Sequence, residues 1–252
     1  MAEHIVRHGR ETQRLRLKRR SEYSARVTHP KHEPDTREAA QAGLFPLPNV
    51  VLFPAQLLSL HVFEPRYRQL VSDVIERGSQ LAVPRLKPGY DSDYYGAPPV
   101  FEVCGVGHIT EYARLPDGRF NIVVLGFGRV RIVEELRGEP YRVARVEPLQ
   151  DRPSEAPMVA ETLRTELLKL VRRTVPHLSG PARDLESRLR GAGTPGECAD
   201  IVAGTLIEDP DERQSLLEEL DPTRRLTTLI AHVHQLSRRL PGMEAAPPQR
   251  LN

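Results

Sequence analysis

Tryptophan is absent from the sequence, cysteine occurs twice and aromatic residues make up 5% of the chain. So low an aromatic content leaves few side chains for stacking on unpaired bases, which argues against a nucleic-acid-binding protein. Cys104 and Cys198 stand far apart and show the spacing of neither a metal site nor a disulfide framework. Cys104 lies in a predicted strand, where we expect a buried structural thiol. The first residues also lack the apolar stretch of a secretory signal, so we expect a cytoplasmic location.

Long apolar runs are missing as well. Hydrophobic residues form 39% of the 252 residues, charged residues form 28%, and no stretch is long enough to cross a bilayer. This predicts a soluble protein without membrane contact. A chain of this length buries roughly 70–75% of its unfolded surface, which is enough for one large domain or two smaller ones.

Three common catalytic motifs do not occur. The sequence contains no Gly-rich loop ending in Gly-Lys-Ser/Thr, no Gly-x-Ser-x-Gly of serine hydrolases and no His-Glu-x-x-His of zinc peptidases. We therefore expect no catalytic residues, no cofactor and no enzymatic activity.

One segment approaches a calcium-binding pattern. Asp91, Asp93, Gly96 and Glu102 occupy positions one, three, six and twelve of an EF-hand loop. Position five is Tyr95, two prolines interrupt the loop and a strand pattern follows, whereas an EF-hand needs flanking helices. We therefore predict no metal site.

Positive charge is concentrated at the N-terminus. Residues 1–43 contain ten Lys or Arg and six Asp or Glu, while the remainder of the chain is slightly acidic. The segment has few apolar residues and no sustained period, which predicts a disordered basic tail. Such a tail is either a solvated extension or an arm that binds nucleic acid or another anionic surface.

Residues 44–150 are predicted to form a β-barrel subdomain that contains one helix. The segment 44–54 is apolar but holds three prolines, which indicates short strand pieces at a sheet edge or bend. A strand follows, and then a helix with Pro65 in its first turn and Gly78 as its stop. One face of the strand is predicted to carry Leu58, Leu60 and Val62.

From Gln80 to Pro148 the apolar residues recur with a period of two, which indicates a set of strands. The Asp117-Gly118 pair predicts a tight hairpin, because both residues tolerate positive φ. Gly126 and Gly128 mark another tight reversal or a bulge. Several short strands with frequent turns predict a small twisted barrel.

Residues 151–240 are predicted to form a helical bundle subdomain, because apolar residues now recur every three or four positions. The last helix is expected to begin with Asp221 as its N-cap and Pro222 in its first turn. Residues 241–252 are expected to be a flexible C-terminus. The predicted apolar faces are Ala160, Leu163, Leu167, Leu170, Val171 and Thr174, then Ile201, Val202 and Leu206, and finally Leu226, Leu229, Ile230, Val233, Leu236 and Leu240.

Four segments together resemble one family. They are LFPLPNVVLFPAQLLSLHVFEPRYRQLV (44–71), GAPPVFEVCGVGHITEY (96–112), DGRFNIVVLGFGRVRI (117–132) and DERQSLLEELDPTRRLTTL (211–229). The sequence is similar to the N-terminal substrate-binding domain of Lon proteases, and especially to stand-alone bacterial proteins that have this LON domain without the ATPase and peptidase domains. The resemblance implies an α+β fold in which a PUA-like β pseudobarrel is followed by a C-terminal helical bundle.

The resemblance also implies a function. It predicts non-catalytic binding of unfolded or tagged client proteins and peptides, in an adaptor role linked to proteolysis, with a protease as a further candidate partner. The alternative is RNA binding by the barrel and the basic tail, which the slightly acidic body and the low aromatic content disfavour. The client, the oligomeric state and the binding face stay open.

Six residues near the Pro-rich entry form the predicted peptide-binding site. Phe53, Leu57 and Phe63 either line a groove that accepts an extended peptide at a sheet edge or belong to the core. The other three lie at the strand-to-helix corner, where a glutamate at the helix start offsets the helix dipole and an arginine pairs locally. These corner residues are Glu64, Arg66 and Tyr67.

Overall fold

In the computed structural model, the described residues are 26–27, 40–93, 96–136 and 140–240. The chain forms two compact units, and the division falls between Gln150 and Asp151. Within the described ranges, every strand and one long helix belong to the first unit, and the second is helical. The expected mixed α+β class is confirmed.

The first unit contains seven strands and one α-helix among its described residues. A short 3₁₀ turn covers Tyr90–Asp93. The strands are β1 (Arg26–Val27), β2 (Ala40–Leu44), β3 (Leu57–Val62), β4 (Leu81–Val83), β5 (Val103–Arg114), β6 (Phe120–Leu136) and β7 (Val143–Leu149), and the helix is α1 (Pro65–Arg77).

The strand pairings close a ring. The sheet order is β1-β5-β4-β2-β7-β6-β3, and β5 also pairs with β6, so five strands from β5 round to β6 form a barrel. The β2–β4 pair is parallel and the others are antiparallel. Strands β1 and β3 are attached outside this ring. The PUA-like label for this barrel stays a prediction.

Small side chains fill one of the two cores of this unit. Its members come from the five strands of the ring and include three alanines and Cys104. A ring of five strands has a narrow interior, so small residues suit it. Burial raises the pKa of the Cys104 thiol to about 12, and the expected buried structural thiol is confirmed. The buried members are Ala42, Leu44, Ala82, Cys104, Val106, Val130, Ala144 and Val146.

Helix α1 packs over the second core. Its buried side chains are Tyr67, Leu70, Val71 and Val74, a spacing of three and four residues that makes one apolar face. Pro65 is in the first turn and Gly78 ends the helix with φ 63° and ψ 28°. Both ends agree with the prediction. The helix start at Pro65 fixes the corner that follows β3.

Strand β2 begins at Ala40, before the expected start of order at Leu44. The AQAG segment has weak strand propensity, so the sequence alone did not indicate it. A Cβ at Gly43 would stand 2.3 Å from Leu70 Cδ1, so a larger residue here would displace the buried Leu70 side chain. Most of the predicted basic tail lies outside the described residues.

Strand β6 runs through the Gly126–Gly128 segment without reversing. Val106 is opposite Gly128 and Gly107 is opposite Gly126, so Phe127 is an extra residue in β6. Of the two interpretations that the sequence allowed, the bulge is therefore observed. The hairpin between β5 and β6 also forms, and Gly118 adopts φ 81°.

In its described part, residues 151–240, the second unit contains five α-helices. Asp221 caps the last one by accepting a hydrogen bond from the Thr223 N–H at 2.8 Å, with Pro222 in the first turn, as predicted. The helices are α2 (Pro157–Thr174), α3 (Leu185–Leu189), α4 (Pro195–Leu206), α5 (Pro210–Glu218) and α6 (Pro222–Arg239), with 3₁₀ turns at Val175–His177 and Gly180–Asp184.

Most residues of the predicted apolar faces in this unit are buried. Leu163, Leu236 and Leu240 are half-buried, and the remaining members of the three faces are buried. Separate helices α3 and α5 were not predicted. Among the described residues, no helix combines the length and the apolar character needed to cross a membrane.

Candidate functional site

The six residues of the predicted peptide-binding site do not form one exposed group. Leu57 is 61% exposed, whereas Phe53 is fully buried and Tyr67 is 7% exposed. The other three, Phe63, Glu64 and Arg66, are half-buried.

Phe53 and Tyr67 belong to the core. The Phe53 N–H donates to Gln56 Oε1 at 3.0 Å, which ties down the loop before β3. The Tyr67 ring stacks on Phe45 with 4.4 Å between centroids, and burial raises its pKa to about 12. For these two positions the structure therefore favours the core interpretation over direct contact with a peptide.

Glu64 and Arg66 organise the start of α1. The Glu64 carbonyl accepts the N–H groups of Tyr67 at 3.1 Å and Arg68 at 2.9 Å. Arg66 Nε lies 3.1 Å from Glu64 Oε2, and its guanidinium carbon lies 4.8 Å from the Tyr67 ring centroid. These contacts account for both residues locally. A contact with a peptide stays a prediction.

Leu57 is part of an exposed apolar row that crosses three strands. It lies opposite Leu125 of β6, and Leu125 lies opposite His108 of β5. Directly opposite residues of antiparallel strands point to the same face. Leu125 is 37% exposed, and the half-buried Phe127 ring stacks on His108 with 4.5 Å between centroids. We call Leu57, Leu125, His108 and Phe127 the leucine row.

Burial favours an uncharged leucine row. It lowers the pKa of His108 below its usual 6.5, which favours the neutral imidazole. Leu57 and Leu125 present apolar surface to solvent, beside the half-buried rings of His108 and Phe127, and Phe127 also packs against the small-residue core. Such an exposed patch on a folded domain is typical of a surface that contacts other proteins.

The same sheet face becomes polar along the strands. His61 lies opposite Asn121, and its Nδ1 is 2.7 Å from Asn121 Oδ1. Arg119 Nη1 is 3.3 Å from His61 Nε2, and Arg119 also pairs with Asp117 in the hairpin. The face thus has an apolar end at the leucine row and a hydrogen-bonded end at His61.

Strand β3 lies at the edge of the sheet beside the leucine row. It pairs with β6, and among the described strands it has no second neighbour. The edge of a strand can add an extended chain through main-chain hydrogen bonds, with side-chain contacts giving specificity. Leu57 and the strand edge therefore lie where one extended segment would contact both.

The described residues include neither a metal-binding cluster nor an exposed thiol. In this part of the chain no three His, Cys, Asp or Glu side chains come close enough to hold a metal ion. The two thiols are buried, and burial raises the pKa of Cys198 to about 11. The leucine row offers apolar packing and β3 offers main-chain pairing.

Sequence reasoning missed Leu125, His108 and Phe127. The signal for Leu125 was present, because Ile122 and Val124 are buried and strand alternation places Leu125 on the other face. Its pairing with Leu57 depends on the register between β3 and β6, which no local pattern defines. The position of Phe127 depends on the bulge.

The comparisons with known proteins decide the family. The model of the ATP-dependent protease La (LON) substrate-binding domain matches residues 42–235. The chain belongs to the Lon substrate-binding domain family. Its relatives include Lon protease 2 of Myxococcus xanthus, 27% identical over 190 residues, and a Lon protease of Desulfovibrio desulfuricans, 30% identical over 189 residues.

This LON domain matches only a part of those relatives. The aligned region is 74% of this chain and 22% of the Myxococcus protein, and 73% of this chain and 21% of the Desulfovibrio protein. The chain thus spans about a fifth of the length of these curated relatives. The matched family region is the substrate-binding domain.

Solved structures of Lon N-terminal domains have the same fold. A Lon N-terminal domain protein from Xanthomonas campestris matches with a TM-score of 0.50 at 26% identity, over 76% of this chain and 98% of that one. The N-terminal domain of a Mycobacterium avium complex Lon protease matches with a TM-score of 0.58 at 17% identity, over 77% and 98%. The resemblance found in the sequence is confirmed.

Proposed function

We propose that this chain binds unfolded or tagged client polypeptides at the leucine row and the adjoining edge of β3, without converting them chemically. One observation carries the proposal: Leu57 is 61% exposed and directly opposite the exposed Leu125, in a domain of a substrate-binding family. An unfolded chain exposes apolar side chains and unpaired main-chain groups, which are the two features that this surface accepts.

The size of the leucine row predicts weak, reversible binding. Fully burying a leucine side chain contributes about 1.5–3 kcal/mol, so Leu57 and Leu125 together supply only a few kcal/mol. Association itself costs at least about 4 kcal/mol. Main-chain pairing along β3 therefore has to contribute, and we expect dissociation constants in the micromolar range or weaker.

An adaptor role fits such binding. A module that holds clients weakly can release them to a second protein, and a protease is the partner that the family association supports. We propose that this transfer occurs in the cytoplasm and that the domain itself has no enzymatic activity. The clients are defined here by exposed apolar sequence and not by a particular identity.

Fluorescence anisotropy with a labelled, permanently unfolded polypeptide tests the proposal. Leu57→Asp places a charge in the leucine row and should weaken binding by about tenfold or more. Val133→Asp is the matched control, because Val133 is another apolar strand residue, on β6, that is 44% exposed but lies outside the row. Equal affinities of the two variants, at equal melting temperatures, would contradict the proposal.

RNA binding is the alternative function, and a separate assay tests it. An electrophoretic shift with single-stranded RNA should be absent, or should not be altered by Leu57→Asp. Tight RNA binding that falls steeply with salt, together with no polypeptide binding, would favour the alternative function.

A further inference from the structure

A shallow groove lies between α2 and α3 in the helical unit. It has a volume of about 220 Å³. Pockets for small molecules start at roughly 300 Å³, so this groove suits one amino-acid side chain and its immediate neighbours. The lining residues are Leu168, Val171 and Arg172 from α2, with Glu186, Leu189 and Arg190 from α3 and its C-terminal end.

The two sides of the groove use the same spacing. Leu168, Val171 and Arg172 follow the i, i+3, i+4 pattern of one helix face, and the three residues from the α3 side repeat it. Val171 and Leu189 are buried and Leu168 is half-buried, so the floor is apolar. The charged side chains on both sides are exposed and form the rim.

The rim carries two guanidinium groups and one carboxylate. Among the described residues, neither Arg172 nor Arg190 forms an ion pair. Arg164, which is on α2 like Arg172, pairs with Glu161 at 3.2 Å. The rim charge is therefore +1 once Glu186 is counted. An apolar floor below a positive rim complements a ligand that combines an apolar side chain with negative charge.

We propose that this groove binds an acidic polypeptide segment in which an apolar side chain is flanked by Asp or Glu. The apolar side chain packs on Leu168 and Leu189, and the flanking carboxylates pair with Arg172 and Arg190. Guanidinium and carboxylate groups match in geometry, which favours arginine at such a rim. This site is separate from the leucine row and does not depend on the function proposed there.

Nuclear magnetic resonance titration of the isotope-labelled full chain tests the groove. The probe is a terminally blocked heptapeptide with a Glu-Leu-Glu centre and Gly-Ser flanks. We expect amide shifts in 168–172 and 186–190 and a dissociation constant below about 1 mM. Raising salt from about 0.05 to about 0.5 M should weaken binding several-fold, because the rim is exposed.

Charge reversal on the rim supplies the decisive variants. Arg172→Glu and Arg190→Glu should each weaken binding by about tenfold. Arg173→Glu is the matched control, because Arg173 is the adjacent exposed arginine but does not line the groove, and it should change the affinity by less than about threefold. Circular dichroism melting should show that all three variants fold.

Two further peptides separate the outcomes. A Lys-Leu-Lys centre should not bind, and a Glu-Ser-Glu centre should bind several-fold more weakly. Equal binding of the lysine peptide, no effect of Arg172→Glu and Arg190→Glu, or the absence of shifts at these amides at about 2 mM peptide would overturn the proposal. Leu57→Asp should leave this titration unchanged. Failure of the groove proposal can therefore be distinguished from failure of the leucine-row proposal.

Discussion

Gly126 lies so close to Phe53 that a Cβ atom on this glycine would stand 2.2 Å from the Phe53 carbonyl oxygen. Phe53 is fully buried, so its backbone has little freedom to move away. The Ala55 N–H donates to the Gly126 carbonyl at 2.8 Å, and the Gly126 N–H donates to the Gln56 carbonyl at 2.9 Å. This close contact fixes the loop that leads into Leu57.

Gly126→Ala should therefore destabilise the strand-rich unit. Overpacking against a backbone group costs about 1–3 kcal/mol. Gly128→Ala is the matched control, because its Cβ would lie 3.7 Å from Val106 Cγ1, an ordinary contact. Both changes reduce the freedom of the unfolded chain equally. Urea unfolding should show a clear loss of unfolding free energy for Gly126→Ala and a much smaller change for Gly128→Ala. Similar losses for the two variants would contradict the close approach of Gly126 to Phe53.

Arg225 is fully buried in the helical unit between two carboxylates. Its Nη1 donates to Asp200 Oδ1 at 2.8 Å and its Nη2 donates to Asp151 Oδ2. Arg225→Met leaves Asp200 buried without its cation and should cost about 3–5 kcal/mol. Arg224 is the neighbouring residue and its side chain is 74% exposed, so Arg224→Met should cost less than about 1 kcal/mol. Urea unfolding of both variants measures the difference in unfolding free energy. Equal losses would show that the buried contacts of Arg225 with Asp151 and Asp200 contribute little to stability.

Stability should fall in alkaline solution because of Cys104. Its folded pKa is raised to about 12 from an ordinary 9.0, so the folded state keeps the proton longer than the unfolded state. The stabilisation that results from this pKa difference is complete below pH 9 and is lost as the pH rises toward 12. Cys104→Ala should flatten this decline by up to about 1.4 kcal/mol per pH unit.

Val106→Ala is the control for the pH experiment. Val106 is buried in the same core but does not titrate, so the variant should be less stable without a change in slope. Urea unfolding at several pH values between 8 and 11 gives both curves. Identical slopes for the wild type and Cys104→Ala would show that the thiol is not the source.

The sequence predicted the elements whose signals are local. Helix α1 has an apolar face between Pro65 and Gly78, and α6 has Asp221 as its cap, so each end is defined by residues within one turn. The sequence signal for the hairpin at Gly118 was equally local. The family match over 42–235 confirms the resemblance that four separate segments indicated.

Features that depend on distant residues could not be predicted. Strand β2 begins at Ala40 because β7 and β4 pair with it, although its own residues favour no strand. Arg225 occupies a buried helix position because Asp151 and Asp200 are there to receive it. The candidate site has the same limit. Leu57 was predicted, but its partner Leu125 is defined by the register between β3 and β6, and the Phe53 backbone lies against Gly126 of β6.

A photocrosslinking amino acid at position 57 tests the central claim most directly. The full chain with p-benzoylphenylalanine in place of Leu57 is irradiated with a labelled unfolded polypeptide, and the same chain with this residue in place of Val133 serves as the control. We expect a crosslinked product from position 57, much less from position 133, and competition by excess unlabelled polypeptide. Equal yields at the two positions, or no product from position 57, would contradict binding at the leucine row.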